Sequence, residues 1–293
     1  MPTRIPQDRI TSALEHWYWN KEVEPQLRAA ALRQTLASTR LLALRDPQLN
    51  PGVAPVADGC AVFQGRGAMG SFARELGTSR SVSEKELRAL EEFYDDHACP
   101  VRIWVSGRTH KSLLEMLHDR GYASSSPSFV WLRSLESDPV ACEHPEIEVV
   151  CVPTDLYNGW IQTVAAGFFE QNEAAPTTAV PNSLIDLFFA LGCGPDDQAF
   201  LARKDGAFVG GAVLQMSDGI AMLRTASTRF IHRNSGVHQA LVAARLERAQ
   251  QRGARIALSQ SLVSGPSAHN LRKLGFHPLR SGCMMEKRVM QKG

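Results

Sequence analysis

The chain has 293 residues, of which 44% are hydrophobic and 21% charged, and its formal net charge is +2. That length buries a sizeable core as one large or two medium domains, and so slight a charge does not argue for nucleic acid or an anionic membrane as partner. No apolar run approaches the roughly 18 to 20 residues that span a bilayer, and the start of the chain, with Arg4, Asp8 and Arg9, lacks the apolar core of a signal peptide, so a cytoplasmic location is expected.

Six cysteines (Cys60, Cys99, Cys142, Cys151, Cys193, Cys283) show no Cys-x-x-Cys or His/Cys metal spacing, so reduced thiols and no metal are expected. From Arg9 to about Arg45 the pattern is helical, with Leu27, Ala30, Ala31, Leu32 and Leu36 spaced for one buried face. Trp17-Tyr18-Trp19 within it reads as a packing cluster or as a platform for a substrate. Asp46 to Asp58, with three prolines, reads as a loop. Gly65-Arg66-Gly67-Ala68-Met69-Gly70 matches a bare Gly-x-Gly-x-x-Gly pattern, but Gly77, Thr78 and Ser79 interrupt any long helix after it, which makes it a loop and not a dinucleotide site.

Ser83-Glu84-Lys85-Glu86 is a capping box that opens a helix to about His97. A strand over Val101 to Val105, a helix over Lys111 to Asp119, an Arg120-Gly121-Tyr122 turn and a strand over Phe129 to Arg133 follow. The polar stretch Ser134 to Glu146 reads as a linker. Beyond it come a strand (Ile147 to Val152), a helix carrying Leu156, Trp160, Ile161 and Val164 that ends at Gly167-Phe168-Phe169-Glu170, and a helix from about Ser183 to Leu191. Strands over Ala199 to Lys204 and Phe208 to Met216 flank an Asp205-Gly206 hairpin turn, and Ile220 to Thr228 makes a third. The Arg233-Asn234-Ser235-Gly236 turn opens a helix from Val237 to Arg252, with Arg245, Glu247, Arg248 and Gln251 interleaved among its apolar residues. A strand, a glycine turn and a long helix in succession make an anion site, because first-turn N–H groups have no intrahelical partner.

A shift of 154 residues lays Leu87 on Leu241, Val101 on Arg255, Leu117 on Leu271, Gly121-Tyr122 on Gly275-Phe276 and Phe129–Arg133 on Cys283–Lys287. Such a long-period repeat argues for two copies of one fold. The turn Arg233 to His238 then falls on Ser79 to Glu84, which has no glycine and carries a carboxylate at the helix start.

Arg233-Asn234-Ser235-Gly236-Val237-His238 resembles the Arg/Gln-x-x-Gly-x-Gly/Ala loop of the GCN5-related N-acetyltransferases, and Gly265-Pro266-Ser267 through Asn270 to Leu274-Gly275-Phe276 is similar to a Gly-x-x-Ser-x-x-Asn…Leu-Gly-Phe segment of one branch of them. The resemblance implies an α/β fold with a mixed sheet, built as two tandem domains. A degenerate copy without the coenzyme loop would occupy 1–135, a linker 136–146 and a copy with the loop 147–293. It further implies acetyl-coenzyme A as co-substrate and a small-molecule or amino-acid-like amine as acceptor, in a monomer or homodimer. The pyrophosphate would lie on Arg233, Asn234, Ser235, Gly236, Val237 and His238, and the pantetheine chain on Ala226, Ser227 and Thr228. Ser267 and Asn270 match polar residues near the sulfur, although either is also placed to cap the last helix. Many members carry a tyrosine one residue after Asn270 as general acid, where this chain has Leu271, so Ser267 or water is the candidate donor. Glu170, like Glu173, is placed where members hold acceptor-binding or base carboxylates, a plain surface glutamate being the other and favoured reading. A non-catalytic coenzyme-binding or regulatory protein on the same fold is the alternative, favoured by Leu271 and by His238 in place of a small residue.

Overall fold

The computed structural model describes residues 24–125, 127–136, 143–169, 182–192, 194 and 196–287. Trp17-Tyr18-Trp19, Glu170 and Glu173 lie outside them. Strands run in the order β1 (Gly52–Val56), β2 (Gly59–Phe63), β3 (Arg102–Ser106), β4 (Tyr122–Ser124), β5 (Ser128–Ser134), β6 (Glu148–Cys151), β7 (Asp197–Lys204), β8 (Ala207–Ser217), β9 (Ile220–Thr228), β10 (Ile256–Leu262) and β11 (His277–Lys287). The helices are α1 (Glu24–Arg45), α2 (Glu84–Asp96), α3 (Lys111–Asp119), α4 (Tyr157–Phe169), α5 (Asn182–Gly192), α6 (Val237–Gln251) and α7 (Pro266–Lys273). One mixed sheet orders its strands β3-β11-β5-β10-β9-β8-β7-β6, with β4 also paired to β11, while β1 and β2 form a separate hairpin. Among the described residues no helix is long and apolar enough to cross a membrane.

The local signals explain most of the elements. Ser83 accepts from the Glu86 N–H while the Glu86 carboxylate accepts from the Ser83 N–H, so α2 starts where its capping box stands. Asp205 and Gly206, both at positive φ, turn β7 into β8. Residues 46–58, expected as a loop, instead contain β1: Pro55 sits opposite Cys60 on an outer strand, where its missing N–H breaks no ladder. The face of α1 also differs from its apolar spacing. Leu32 is exposed, whereas Gln34, Thr35, Ser38 and Thr39 are buried beside Ala30 and Leu42. A helix that turns hydroxyls and amides inward faces something polar, and α1 does form one wall of the cavity described below.

Helix α6 covers one face of the sheet, packing Val237, Leu241 and Leu246 on Leu214, Leu223 and Ala257. On other patches of the sheet, α4 sets Trp160 and Val164 against Leu201 and Val213, and α1 sets Ala30 near Met222 and Leu258. In the first half Leu87, Leu90, Leu113 and Leu117 enclose Ile103 and Val105, and Cys283 and Met285 of β11 join that core.

The residence of β11 in that core reflects a reciprocal exchange of strands. At the shift of 154 that carries Arg102 of β3 onto Ile256 of β10, α3 falls on α7, β4 on the start of β11 and β5 on its end. In the second half, β5 lies between β10 and the start of β11, with Leu132 opposite both Leu258 and His277. In the first half, the end of β11 lies between β3 and β4, with Met285 opposite both Ile103 and Ser124. Each half lends its last strand to the other. The crossing point is Gly282, paired with both Ser106 and Ser128, where a side chain would drive into the Trp104 ring and the Val105 carbonyl. Pro278 sits beside a bulge in β11, which absorbs its missing donor.

Candidate functional site

Strands β9 and β10 run parallel and pair only from Ile220↔Ile256 to Leu223↔Ser259, then part, although β9 continues to Thr228 and β10 to Leu262. The cause lies in β9. Its neighbour β8 pairs Val213 with Arg224 and Gly211 with Ser227, so Ala212 alone stands opposite Thr225 and Ala226. Two residues facing one is a β-bulge, and Thr225 takes a positive φ of 46° to make it. Arg245, fully buried in α6, bonds from Nη1 to the carbonyls of Val213 (3.1 Å) and Arg224 (3.3 Å) at the edge of the bulge and from Nε to Leu241 O (2.8 Å). Its place among the helix's interleaved polar residues does not reveal this, and only the packed helix shows that it braces the open strand.

A cavity of about 1520 Å³ fills the opening and continues between the two halves. Ala226, Ser227 and Thr228 line it, but the Ser227 hydroxyl donates to Val164 O (2.8 Å), which leaves backbone groups and the Thr228 side chain as this segment's contribution. Gly167 of α4 lies against Ser227; a Cβ there would meet the hydroxyl at 2.6 Å. Arg233 donates from Nη2 to Gly167 O (3.1 Å), tying the loop to the end of α4, and its guanidinium lies over the Phe230 ring. The Ser235 hydroxyl is engaged with His232 O (2.7 Å).

Gly236 takes φ 84° as the cap of α6 and makes no side-chain cap bond, so the first-turn N–H groups of Val237, His238 and Gln239 are left for whatever lies in front of them. The matching helix start, α2, is closed by its own Ser83/Glu86 box, and Arg80 is ion-paired to Glu86. The second half alone therefore offers an open helix terminus at this position. The surroundings suit an anion: His232, Arg233, His269 and Lys273 all line the cavity there. His144, from the linker, adds a side chain that motif reading had no means to find, since no motif contains it. Its ring covers Gly236 where a Cβ would be, and its Nε2 lies 2.8 Å from Gln239 Oε1.

From Gln239 a chain of bonds runs inward. Gln239 Nε2 donates to Asn270 Oδ1 (3.1 Å), which sets the Asn270 amide so that its Nδ2 donates to His238 Nδ1 (3.3 Å), and His238 Nε2 faces Ser267 Oγ at 3.4 Å. Asn270 and Ser267 are thus partners of His238 and not helix caps; the cap of α7 is Gly265, without a side-chain bond. Burial first, and then the charge of Arg245, pulls His238 down from 6.5 to about 4. A histidine whose folded pKa lies below its unfolded value contributes stability above pH 6.5 that is lost as the pH falls from there towards 4. Urea midpoints at pH 7.5 and 4.5 should accordingly differ more in the native protein than in His238→Asn, and equal differences would mean that His238 does not carry this dependence.

Among the described residues no group of three or more His, Cys, Asp or Glu is placed to hold a metal ion. No protein-family model matches the sequence, and no curated protein matches it either. Solved structures do match. A GCN5-related N-acetyltransferase from Kribbella flavida aligns with 87% of this chain and 97% of its own at a TM-score of 0.58 and 15% identity. One from Sphaerobacter thermophilus aligns with 69% of this chain and 66% of its own, at 0.56 and 17%. A tandem GNAT protein from the clavulanic acid biosynthesis pathway aligns over 80% of both chains, also at 0.56 and 17%. The fold is therefore a mixed α/β fold. It is that of the GCN5-related N-acetyltransferases, one of the matching structures being a tandem form.

Proposed function

We propose that the protein is an acetyl-coenzyme A-dependent N-acetyltransferase acting on a small-molecule amine. The observation that carries this reading is the parting of β9 from β10 at the Thr225–Ala226 bulge, directly ahead of the open N-terminus of α6. The arrangement separates the tasks that acyl transfer requires. Backbone N–H groups of Gly236 to His238, with Arg233 and Lys273 nearby, receive the diphosphate, and the His144 ring gives way to it. The free backbone edge of Ala226 to Thr228 aligns the pantetheine chain and offers donors to the thioester oxygen as charge builds there. The amine nitrogen then bonds to the acetyl carbon, the carbon–sulfur bond breaks, and the thiolate takes a proton. With Asn270 Nδ2 donating to His238 Nδ1, the His238 Nε2–H donates to Ser267 Oγ, which leaves the Ser267 hydroxyl proton for the sulfur. A neutral His238 with a pKa near 4 is too weak a base to deprotonate an ammonium group. The acceptor therefore loses its proton to water or to Glu170, which lies outside the described residues.

Free thiol released from acetyl-coenzyme A, measured across an amine panel, tests the reading. Release that depends on one class of amine is the expected result. Tight coenzyme binding with no turnover on any amine would favour a coenzyme-binding protein without catalysis, for which Leu271 at the place of the general-acid tyrosine is the argument.

A further inference from the structure

The part of the cavity lined by α1, by β9 ahead of its bulge and by the segment after β2 carries charged groups that the acetyl-transfer machinery does not use. Its two carboxylates are each matched twice. Glu24 pairs with Arg108 and with Arg280 (3.1 Å), and Glu75 pairs with Arg28 (3.2 Å) and with Arg280 (3.2 Å). Two further arginines are left without such a partner. Arg74 lies over the Phe72 ring at 4.4 Å, and no hydrogen bond or ion pair reaches its guanidinium among the described residues. Arg224, the last residue of β9 before the bulge, has a long bond from Nη1 to Gln215 Oε1 (3.4 Å). Burial first, and then the charge of Arg74, lowers Arg224 to about 10, opposed by Asp197, which stands outside the cavity; burial lowers Arg74 as well, opposed by Cys60, Glu75 and Tyr94. Gln34 supplies an independent sign of a missing ligand. It is 3% exposed, it lines this cavity from α1, and among the described residues neither its Nε2 nor its Oε1 has a hydrogen-bond partner. A buried amide with both ends idle is a cost that a fold sheds unless something comes to meet it.

We propose that this end of the cavity is a subsite for a carboxylate carried by the acceptor, held between Arg74 and Arg224 with the Gln34 amide beside it, so that the acceptor is an amino-acid-like amine. The inference rests on the acetyltransferase reading for the role of its ligand, though not for the binding itself. An arginine fork suits a carboxylate, and an anion relieves the repulsion between two desolvated cations. Gln34 offers two donors to the carboxylate and an acceptor to any N–H that the ligand brings. Met222, Leu258 and Leu279 also line the cavity, so the wall beside Arg224 on the side away from the bulge is apolar.

The test is thermal shift and equilibrium binding on the full chain without coenzyme, using the proteinogenic amino acids, their amides and phosphoethanolamine. At least one amino acid should raise the melting temperature while its amide does not, and Arg74→Met should weaken that amino acid by about tenfold or more. Gln34→Leu should weaken it similarly while leaving the unliganded melting temperature equal or higher, a pairing that a purely structural glutamine would not produce. The subsite is overturned if amides protect as well as acids, if Arg74→Met binds unchanged, or if phosphoethanolamine protects where every amino acid fails. Amino-acid binding without acetyl transfer leaves the subsite standing and removes the acetyltransferase reading. Transfer that is indifferent both to the carboxylate and to Arg74→Met does the reverse.

Discussion

Gly236→Glu should reduce coenzyme affinity by more than tenfold, at least about 1.4 kcal/mol, in calorimetric titration. Three effects act in the same direction. The residue sits at φ 84°, a conformation that costs a side-chain-bearing residue about 1–2 kcal/mol. Its Cβ would enter the space that the His144 ring fills. Its carboxylate would then stand at the helix terminus where the diphosphate is proposed to lie, replacing attraction by repulsion. Gly236→Ala carries the strain and the crowding without the charge, so its loss should be smaller, and the difference between the two isolates the electrostatic part. A folded Gly236→Glu protein with unchanged affinity would remove the loop from the coenzyme site altogether.

Trp131→Ala should destabilise the whole chain by about 3–5 kcal/mol, seen as a fall in melting temperature on the order of 10 °C. Trp131 is fully buried in β5, the strand that the first half lends to the second. Its Nε1 donates to Ser261 Oγ (2.8 Å) on β10, Phe129 meets it edge-on at 5.5 Å, and Arg272 of α7 lies over its ring at 5.0 Å. Trp131→Phe keeps most of that burial and loses the hydrogen bond, so about 1 kcal/mol is expected. Because β5 and β11 cross between the halves, unfolding should remain a single transition in both variants. A melting temperature within a degree or two of native for Trp131→Ala would mean that β5 does not hold the sheet together. The same exchange argues against dissecting the chain at the linker. A fragment beginning at Glu143 lacks β5 and exposes unpaired edges on β10 and β11, so ligand measurements belong on the full chain.

Elements whose causes are local were legible from the residues that compose them. The Ser83/Glu86 box, the Asp205-Gly206 turn and the Gly236 and Gly275 positions each need only near neighbours to act, and each stands where its residues predict. The glycine pattern Gly65 to Gly70 also behaves as expected of a loop: no helix follows until Glu84, and the turn is held by Ser71, whose Oγ bonds the Gly65 carbonyl. Apolar spacing gave α1 a face that includes the exposed Leu32, and nothing along the chain marks Arg245 as buried, because a side chain's surroundings come from elements distant in sequence.

Periodicity, capping and turn chemistry act over a few residues, and so most helices and strands from Ser83 onward, the shift of 154 residues between the halves and the open glycine turn ahead of α6 were legible along the chain, whereas β1 was not. Only the tertiary structure decided that β5 and β11 trade places, that His144 rests on Gly236, and that Gln34, Arg74 and Arg224 face one cavity. Strand partners and cavity walls are set by contacts spanning more than a hundred residues. Those contacts are chosen by which arrangement buries the most apolar surface and pairs the most backbone, a comparison that no short stretch of chain contains.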